Sequence, residues 1–139
     1  MAMRVRDLSI SDELDREIRR ESTDRATTWS ALATELLEEA LRMRRAPGVV
    51  FLDGPAGRRA TVAGAGLDVW EIVATWQAAA EDFDKLRQSY GWLTEPQLRA
   101  ALTYYELYPE EIDERLRREA AWTPDRVASE LPYTRPRNS

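Results

Sequence analysis

Residues Arg4–Ile10 of this 139-residue chain read RVRDLSI, the only early stretch with the character of a β-strand. Successive side chains of an extended strand point to opposite sides, so Leu8 and Ile10 share one side. A lone strand cannot satisfy its own backbone hydrogen-bonding groups, and the sequence offers no second strand nearby. Pairing with the same strand of a second copy is the economical solution. The stretch therefore predicts a homodimer, and whether dimers join into higher oligomers stays open.

A short amphipathic helix is predicted directly after this strand. Ser11 offers a capping hydroxyl, and the acids that begin at Asp12 oppose the helix dipole in the first turn. The helix is expected to run to about Ser22 and to bury Leu14 and Ile18.

A second, longer helix carries the clearest periodicity in the chain. Either Thr27 or Thr28 is expected to cap it, and it runs to about Arg45. Its apolar residues follow the three- and four-residue spacing of one helix face. One copy of the chain cannot bury so wide a stripe, which again predicts a dimer. The stripe consists of Trp29, Leu32, Ala33, Leu36, Leu37, Ala40 and Leu41.

A boundary and a β-hairpin are predicted in the middle of the chain. Ala46-Pro47-Gly48 ends the second helix. Val49–Leu52 and Arg58–Val62 are predicted strands, joined by the glycine-rich turn Asp53–Gly57. Gly64-Ala65-Gly66 matches neither the dinucleotide-binding nor the P-loop spacing, so a tight turn before a helix is the better interpretation.

Four more helices are predicted, beginning near Asp68, Phe83, Thr94 and Pro109. The first and third of these start with capping boxes, in which a Glu or Gln follows the cap by three residues. The second and third form a helix-turn-helix unit. Tyr104 and Tyr108 are expected to cover neighbouring helices. The residues expected to be buried are Val69, Trp70, Ile72, Val73, Trp76, Leu98, Ala101, Leu102, Tyr105, Ile112 and Leu116.

The last segment, 122–139, has no core pattern beyond one helical turn at Pro124–Leu131. Its prolines keep the rest of the segment extended, which lowers the entropy lost on docking. Aromatic residues here can anchor a partner or dock back onto their own domain. The candidate partner-binding residues are Trp122, Leu131, Tyr133 and Arg135.

Composition excludes several classes of protein. The chain has no cysteine and no histidine, so a disulfide framework, a thiolate or imidazole metal site and a Ser-His-Asp triad are all excluded. No apolar run is long enough for a membrane span, and no signal peptide is predicted, so the expected compartment is the cytoplasm. A carboxylate-only enzyme stays formally open, but most acids alternate with arginines on predicted helix surfaces. We therefore expect no enzyme, no catalytic residue, no metal site and no cofactor.

The net charge of −5 limits any nucleic-acid role. Residues 1–45 hold nine arginines against ten acids, whereas residues 46–139 hold eleven basic residues against fifteen acids. DNA binding must then come from the local placement of arginines rather than from a global field.

Two stretches, LSISDEL (Leu8–Leu14) and TTWSALATELLEEAL (Thr27–Leu41), resemble the ribbon-helix-helix fold. In that fold two chains intertwine, and their paired strands enter the DNA major groove. Few base-reading side chains stand on the outward side of the predicted strand, so phosphate contacts are expected to dominate. The resemblance implies these DNA-binding candidates: Arg4, Arg6, Ser9, Thr27, Thr28 and Ser30.

Two later stretches, GRRATVAGAGLDVWEIV (Gly57–Val73) and YGWLTEPQLRAALTYYELYPEEID (Tyr90–Asp113), resemble the family of unknown function numbered 433. The most specific part is LTEPQLRAALTYY (Leu93–Tyr105). This resemblance implies a hairpin followed by a homeodomain-like helix-turn-helix. It also implies an antitoxin that is paired with a PIN-like ribonuclease toxin.

Together these observations predict a mainly α protein with a small amount of β structure. A ribbon-helix-helix domain (1–45) precedes a hairpin and helix-turn-helix domain (46–121) and a tail (122–139). The favoured function is a type II antitoxin that binds operator DNA and a PIN-like ribonuclease. The alternative is a stand-alone dimeric repressor. Its would-be recognition helix, Thr94–Tyr108, offers Arg99 as its one basic residue, which argues against that alternative.

Overall fold

The computed structural model describes residues 2–122 and Ser129. Its described part is mainly helical with a small antiparallel sheet, as the sequence predicts. None of its described helices is both long and apolar enough to cross a membrane. The elements are α1 (Asp12–Asp24), α2 (Trp29–Arg45), β1 (Val49–Gly54), β2 (Gly57–Val62), β3 (Leu67–Asp68), α3 (Val69–Ala78), α4 (Phe83–Ser89), α5 (Glu95–Leu107) and α6 (Pro109–Ala120).

The chain divides into two compact units. The head unit is Met1–Leu41, and the carboxy-terminal unit is Arg42–Ser139. The division falls inside α2, four residues before the predicted boundary after Arg45. The last turn of α2 belongs with the second unit because Arg42 bonds to side chains of that unit.

The head unit contains α1 and most of α2. The Ser11 hydroxyl accepts a hydrogen bond from the Leu14 amide at 3.1 Å, so the predicted cap of α1 is confirmed. Thr28 caps α2 by accepting from the Ala31 amide at 3.1 Å, which settles the choice between Thr27 and Thr28. Ala26, at φ 52°, reverses the chain between the two helices.

Two predictions for the head unit have different outcomes. The expected strand over Arg4–Ile10 is absent from this single chain, in which residues 2–10 form neither a helix nor a paired β-strand. Because that strand needs a second copy, its pairing stays a prediction. The expected burial of Leu14 beside Ile18 is wrong for one copy, since Leu14 is 43% exposed. Leu36 and Leu41 are 40% and 51% exposed, as expected if one copy cannot bury the stripe of α2.

The sheet of the carboxy-terminal unit has the strand order β1-β2-β3 and is antiparallel. Val49 faces Val62 and Gly54 faces Gly57, so the predicted hairpin is confirmed with a shorter turn than expected. The sequence did not predict β3, a two-residue strand that pairs with β2. The tight turn at 63–66 returns the chain for this pairing, and the Thr61 hydroxyl donates to the Leu67 carbonyl at 2.8 Å.

Helices α3, α4, α5 and α6 build the core of this unit together with the sheet. Both predicted capping boxes are present: Asp68 with Glu71 begins α3, and Thr94 with Gln97 begins α5. The second box also reaches the turn that follows β2, since Gln97 Nε2 donates to the Ala63 carbonyl at 3.2 Å. The buried core residues are Ala46, Val49, Val62, Ala65, Val69, Ile72, Val73, Leu86, Leu98, Ala100, Ala101, Tyr104 and Ile112.

Tyr104 requires a correction. It was expected to cover a neighbouring helix, but it is fully buried, whereas Tyr105, expected in the core, is only partly buried. Tyr104 and Tyr105 follow Ala101 by three and by four residues, so both fit the helix face that carries Leu98 and Ala101. The Tyr104 ring meets Phe51 edge-on at 6.2 Å, and its hydroxyl has polar partners, so burial does not leave a polar group unsatisfied.

Candidate functional site

Helix α2 carries an exposed apolar surface, the leucine face, which consists of Leu36, Leu37 and Leu41. These side chains are 40%, 62% and 51% exposed. Among the described residues of the head unit, Ile18 and Leu32 are the only buried hydrophobic side chains. Burying one leucine contributes about 1.5–3 kcal/mol. The leucine face therefore has the properties of an interaction surface that packs against another apolar surface.

The predicted DNA-binding residues of the amino-terminal segment are all exposed. Arg4, Arg6 and Ser9 lie in the segment before α1. Arg6 Nη1 donates only locally, to the Val5 carbonyl at 3.4 Å. Both guanidinium groups are therefore accessible to a phosphate, although the single chain does not hold them in one geometry.

The remaining predicted DNA-binding residues gather at the start of α2. Thr27, Thr28 and Ser30 are all exposed there. The Thr28 hydroxyl already accepts a hydrogen bond from the helix backbone, so as an acceptor it is partly used. Trp29 lies between them and donates from Nε1 to Asp15 at 3.1 Å, which ties this helix start to α1.

Of the predicted partner-binding residues, only Trp122 belongs to the described part of the chain. It lies two residues after the end of α6 and is 44% exposed, and its backbone amide donates to the Glu119 carbonyl at 3.1 Å. Leu131, Tyr133 and Arg135 lie outside the described residues, as does most of the predicted turn at Pro124–Leu131. Trp122 thus extends α6 with an accessible ring.

Arg99, the one basic residue of α5, is already engaged. Its Nε donates to Glu95 at 2.9 Å, and its guanidinium stacks over the Phe83 ring at 4.3 Å. Glu106 adds a further exposed acid on the same helix. The surface of α5 is therefore poor in cations that could bind a phosphate backbone.

A groove of about 450 Å³ runs along α3 and α5. Trp76 and Tyr105 meet edge-on at 6.5 Å within it, and Leu102 adds apolar surface. The Tyr105 hydroxyl donates to Asp113 at 2.5 Å, and this hydrogen bond is the main reason that the pKa of Tyr105 is raised. A groove with aromatic walls and polar edges suits a protein partner.

A polar network inside the carboxy-terminal unit joins Arg42, Tyr104 and Glu111. Arg42 Nη1 donates to the Tyr104 hydroxyl at 2.8 Å and to Glu111 at 2.9 Å, and the Tyr104 hydroxyl donates to Glu111. Burial raises the pKa of Tyr104 well above its ordinary value, and the bond to Glu111 adds to this shift. Tyr104 is therefore a neutral donor. Within this unit the network joins Arg42 to side chains of α5 and α6, and because the Tyr104 side chain is buried, its role is structural.

The sequence analysis missed a set of four arginines, the arginine cluster: Arg58, Arg59, Arg115 and Arg118. They line one cavity of about 280 Å³, formed by the hairpin and α6. Two local signals were present, because the first two are adjacent and the other two stand three residues apart on one helix face. Their convergence depends on packing between distant segments, which neither signal shows.

Comparisons with known proteins add no relative. No protein-family model, no curated protein and no solved structure matches this chain. The resemblances to the ribbon-helix-helix fold and to the family numbered 433 stay predictions. Within residues 2–122, no group of three or more acidic side chains is arranged to hold a metal ion.

Proposed function

We propose that this chain is the antitoxin of a type II toxin-antitoxin system. The head unit forms a homodimer that binds operator DNA, and the carboxy-terminal unit binds and inhibits a PIN-like ribonuclease. The observation that carries the proposal is the leucine face, because Leu36, Leu37 and Leu41 are exposed while Ile18 and Leu32 are the only buried hydrophobic side chains among the described residues of the head unit. The resemblance to the ribbon-helix-helix fold suggests operator DNA as one partner, and the resemblance to the family numbered 433 suggests a PIN-like ribonuclease as the other.

Dimerisation follows from the energetics of the head unit. With Ile18 and Leu32 as its only buried hydrophobic side chains in the described part, the unit gains little stability alone. A second copy covers the leucine face and at the same time supplies a partner strand for Arg4–Ile10. An isologous two-fold interface buries the same residues of both copies.

A pair of charges placed in this interface tests the dimer. Leu8→Asp with Leu36→Asp should convert a micromolar dimer into monomers, because two carboxylates would have to be desolvated in each half of the interface. Ala31→Asp is the matched control: it adds the same charge to α2 on an exposed position, about 140° around the helix from Leu36 and about 80° or more from the other two leucines. Light scattering reads the mass. A monomeric wild-type protein would contradict the proposal.

DNA binding by the head unit is proposed to rely on phosphate contacts from Arg4 and Arg6. Both are exposed, and Asp7 beside them carries no base-reading donor. Arg4→Ala with Arg6→Ala should weaken binding equally on DNA from upstream of the gene and on unrelated DNA. A loss confined to the upstream DNA would mean that these arginines read bases.

Partner binding is assigned to the carboxy-terminal unit and to the tail. The groove on α3 and α5 offers Trp76 and Tyr105, and Trp122 offers a half-exposed ring. The acidity of residues 46–139 complements a basic RNA-binding groove on a nuclease. Arg135 is proposed to pair with carboxylates of the nuclease site.

The neighbouring gene supplies the test of partner binding. If it encodes a PIN-like nuclease, full-length protein should capture and inhibit that product, and a chain that ends at Ala121 should do so more weakly. Equal capture and inhibition by both forms would contradict the role of the tail and leave the groove as the interface. A neighbouring gene of another kind would favour the stand-alone repressor.

A further inference from the structure

The arginine cluster brings four positive charges together on an otherwise acidic unit. Arg58 and Arg59 come from β2, and Arg115 and Arg118 come from α6. The same cavity is lined by two acids, Asp53 and Asp68, so positive charge dominates its walls. The remaining wall is formed by uncharged residues of the hairpin turn, Gly54, Pro55, Ala56 and Gly57.

The hairpin holds its two arginines in fixed positions. Arg58 Nη1 donates to Asp53 at 3.0 Å, and Nη2 donates to the Phe51 carbonyl at 3.2 Å. Arg59 Nη1 donates to the buried Asp68 at 2.8 Å. The stem of Arg59 also fills space left by Gly54, where an added Cβ would stand 3.1 Å from its Cδ. Guanidinium groups that are ordered before binding lose less entropy when they meet an anion.

Helix α6 contributes one anchored and one accessible arginine. Arg115 lies over the Trp70 ring at 4.9 Å and donates to Glu119 at 2.8 Å. Arg118 is exposed and makes no ion pair with any residue in the described part of the chain. Its guanidinium is therefore available to an anion that enters the cavity.

We propose that the arginine cluster is a second DNA-binding surface, which takes a phosphate group of a duplex backbone. Several guanidinium groups around one cavity suit the multiple acceptor oxygens of a phosphate. Among the described residues, no aromatic side chain lines the cavity, and Arg115 covers the nearby ring of Trp70. An unpaired base therefore finds no open ring on which to stack, and this disfavours single-stranded RNA. Contact through the hairpin and α6 also replaces contact through α5, which offers Arg99 as its one basic residue beside Glu95 and Glu106.

This surface goes beyond the proposed function, which places DNA on the head unit, and it serves an antitoxin or a repressor equally. The test measures binding of full-length protein to an unrelated duplex of about 20 base pairs by fluorescence anisotropy, between about 0.05 and 0.2 M salt. The logarithm of the association constant falls linearly with the logarithm of the salt concentration, and the steepness of this fall counts the phosphate contacts. Arg118→Ala should reduce the steepness by about one, and Arg58→Ala with Arg118→Ala should reduce it by about two. Arg118→Lys should keep most of the slope.

Arg117→Ala is the matched control, since Arg117 is a neighbouring exposed residue of α6 that does not line the cavity. Thermal melting shows whether each variant is folded. If the variant with Arg58→Ala is unfolded, the salt slope of Arg118→Ala alone tests the inference. An unchanged slope for Arg118→Ala overturns the inference, and if Arg4→Ala with Arg6→Ala still weakens binding, DNA binding by the head unit stands. The inference is also overturned if the wild-type protein binds single-stranded RNA or an acidic peptide but does not bind the duplex.

Discussion

The head unit and the carboxy-terminal unit differ in how they use their apolar residues. Among the described residues, the carboxy-terminal unit buries a cluster of thirteen hydrophobic side chains that joins the sheet to its helices. The head unit buries Ile18 and Leu32 and leaves the leucine face in solvent. Both units have well-formed helices with comparable caps.

This difference shows that helix formation and the burial of apolar side chains depend on different features of the chain. Local caps and helical periodicity are sufficient to place α1 and α2, but apolar burial needs surfaces that face one another. The carboxy-terminal unit supplies both surfaces from one chain. We expect it to fold at any protein concentration, whereas the stability of the head unit should rise with concentration, as for any association-coupled fold.

The largest expected effect is in the core of the carboxy-terminal unit. Leu98→Ala should lower its free energy of unfolding by about 2–5 kcal/mol, because Leu98 is fully buried and the cavity cannot close completely. Leu107→Ala on the same helix is the control, since Leu107 is 43% exposed and should change stability by no more than about 0.5 kcal/mol. Urea unfolding followed by tryptophan fluorescence measures both. Loss of the dimer in Leu98→Ala would show that the units are not independent.

The next effect is a loss of stability at alkaline pH. The pKa of Tyr104 is raised above its ordinary value of 10, first by burial and then by the hydrogen bond to Glu111. The unfolded chain therefore releases this proton first, and stability that is complete below pH 10 falls as the pH rises toward the folded pKa. The slope contributed by Tyr104 should approach about 1.4 kcal/mol per pH unit.

Tyr104→Phe separates this contribution from those of other groups. The variant should lose the part of the alkaline slope that belongs to Tyr104, while Tyr105→Phe removes a contribution of the same direction from a less buried hydroxyl. Urea unfolding at several pH values between 8 and 11 gives the slopes. An identical slope in wild type and Tyr104→Phe would mean that Tyr104 titrates alike in the folded and unfolded chain.

The sequence predicted those features that depend on neighbouring residues. The caps at Ser11, Asp68 and Thr94 and the hairpin that Gly54 and Gly57 close are all local. Side-chain periodicity placed Tyr105 rather than Tyr104 in the core, which is wrong, because both residues fit the same stripe. The choice between them is made by Phe51 and Arg42, which lie far away in sequence, and by Glu111, which belongs to the next helix.

The candidate site was less predictable for the same reason. Arg58 and Arg118 are sixty positions apart, and only the packing of the hairpin near α6 places them around one cavity. The strand expected at Arg4–Ile10 depends on a second chain, so neither the sequence nor one copy of the structure determines it. Exposure of the leucine face is the observation that links this prediction to the structure.

The smallest effect compares one cap in each unit. The Thr94 hydroxyl accepts from the Gln97 amide at 3.3 Å and the Ser11 hydroxyl from the Leu14 amide at 3.1 Å, so each substitution by alanine removes one similar bond. Thr94→Ala should lower the free energy of unfolding of its unit by about 1 kcal/mol at every protein concentration. In the head unit folding is proposed to be coupled to dimerisation. Each dimer then loses two Ser11 caps, about 2 kcal/mol, and its Kd should rise roughly thirtyfold. Analytical ultracentrifugation over a dilution series gives this Kd. An unchanged Kd in Ser11→Ala would mean that α1 and α2 are fully folded before the copies meet, and the contrast between the two units would then lie in surface alone.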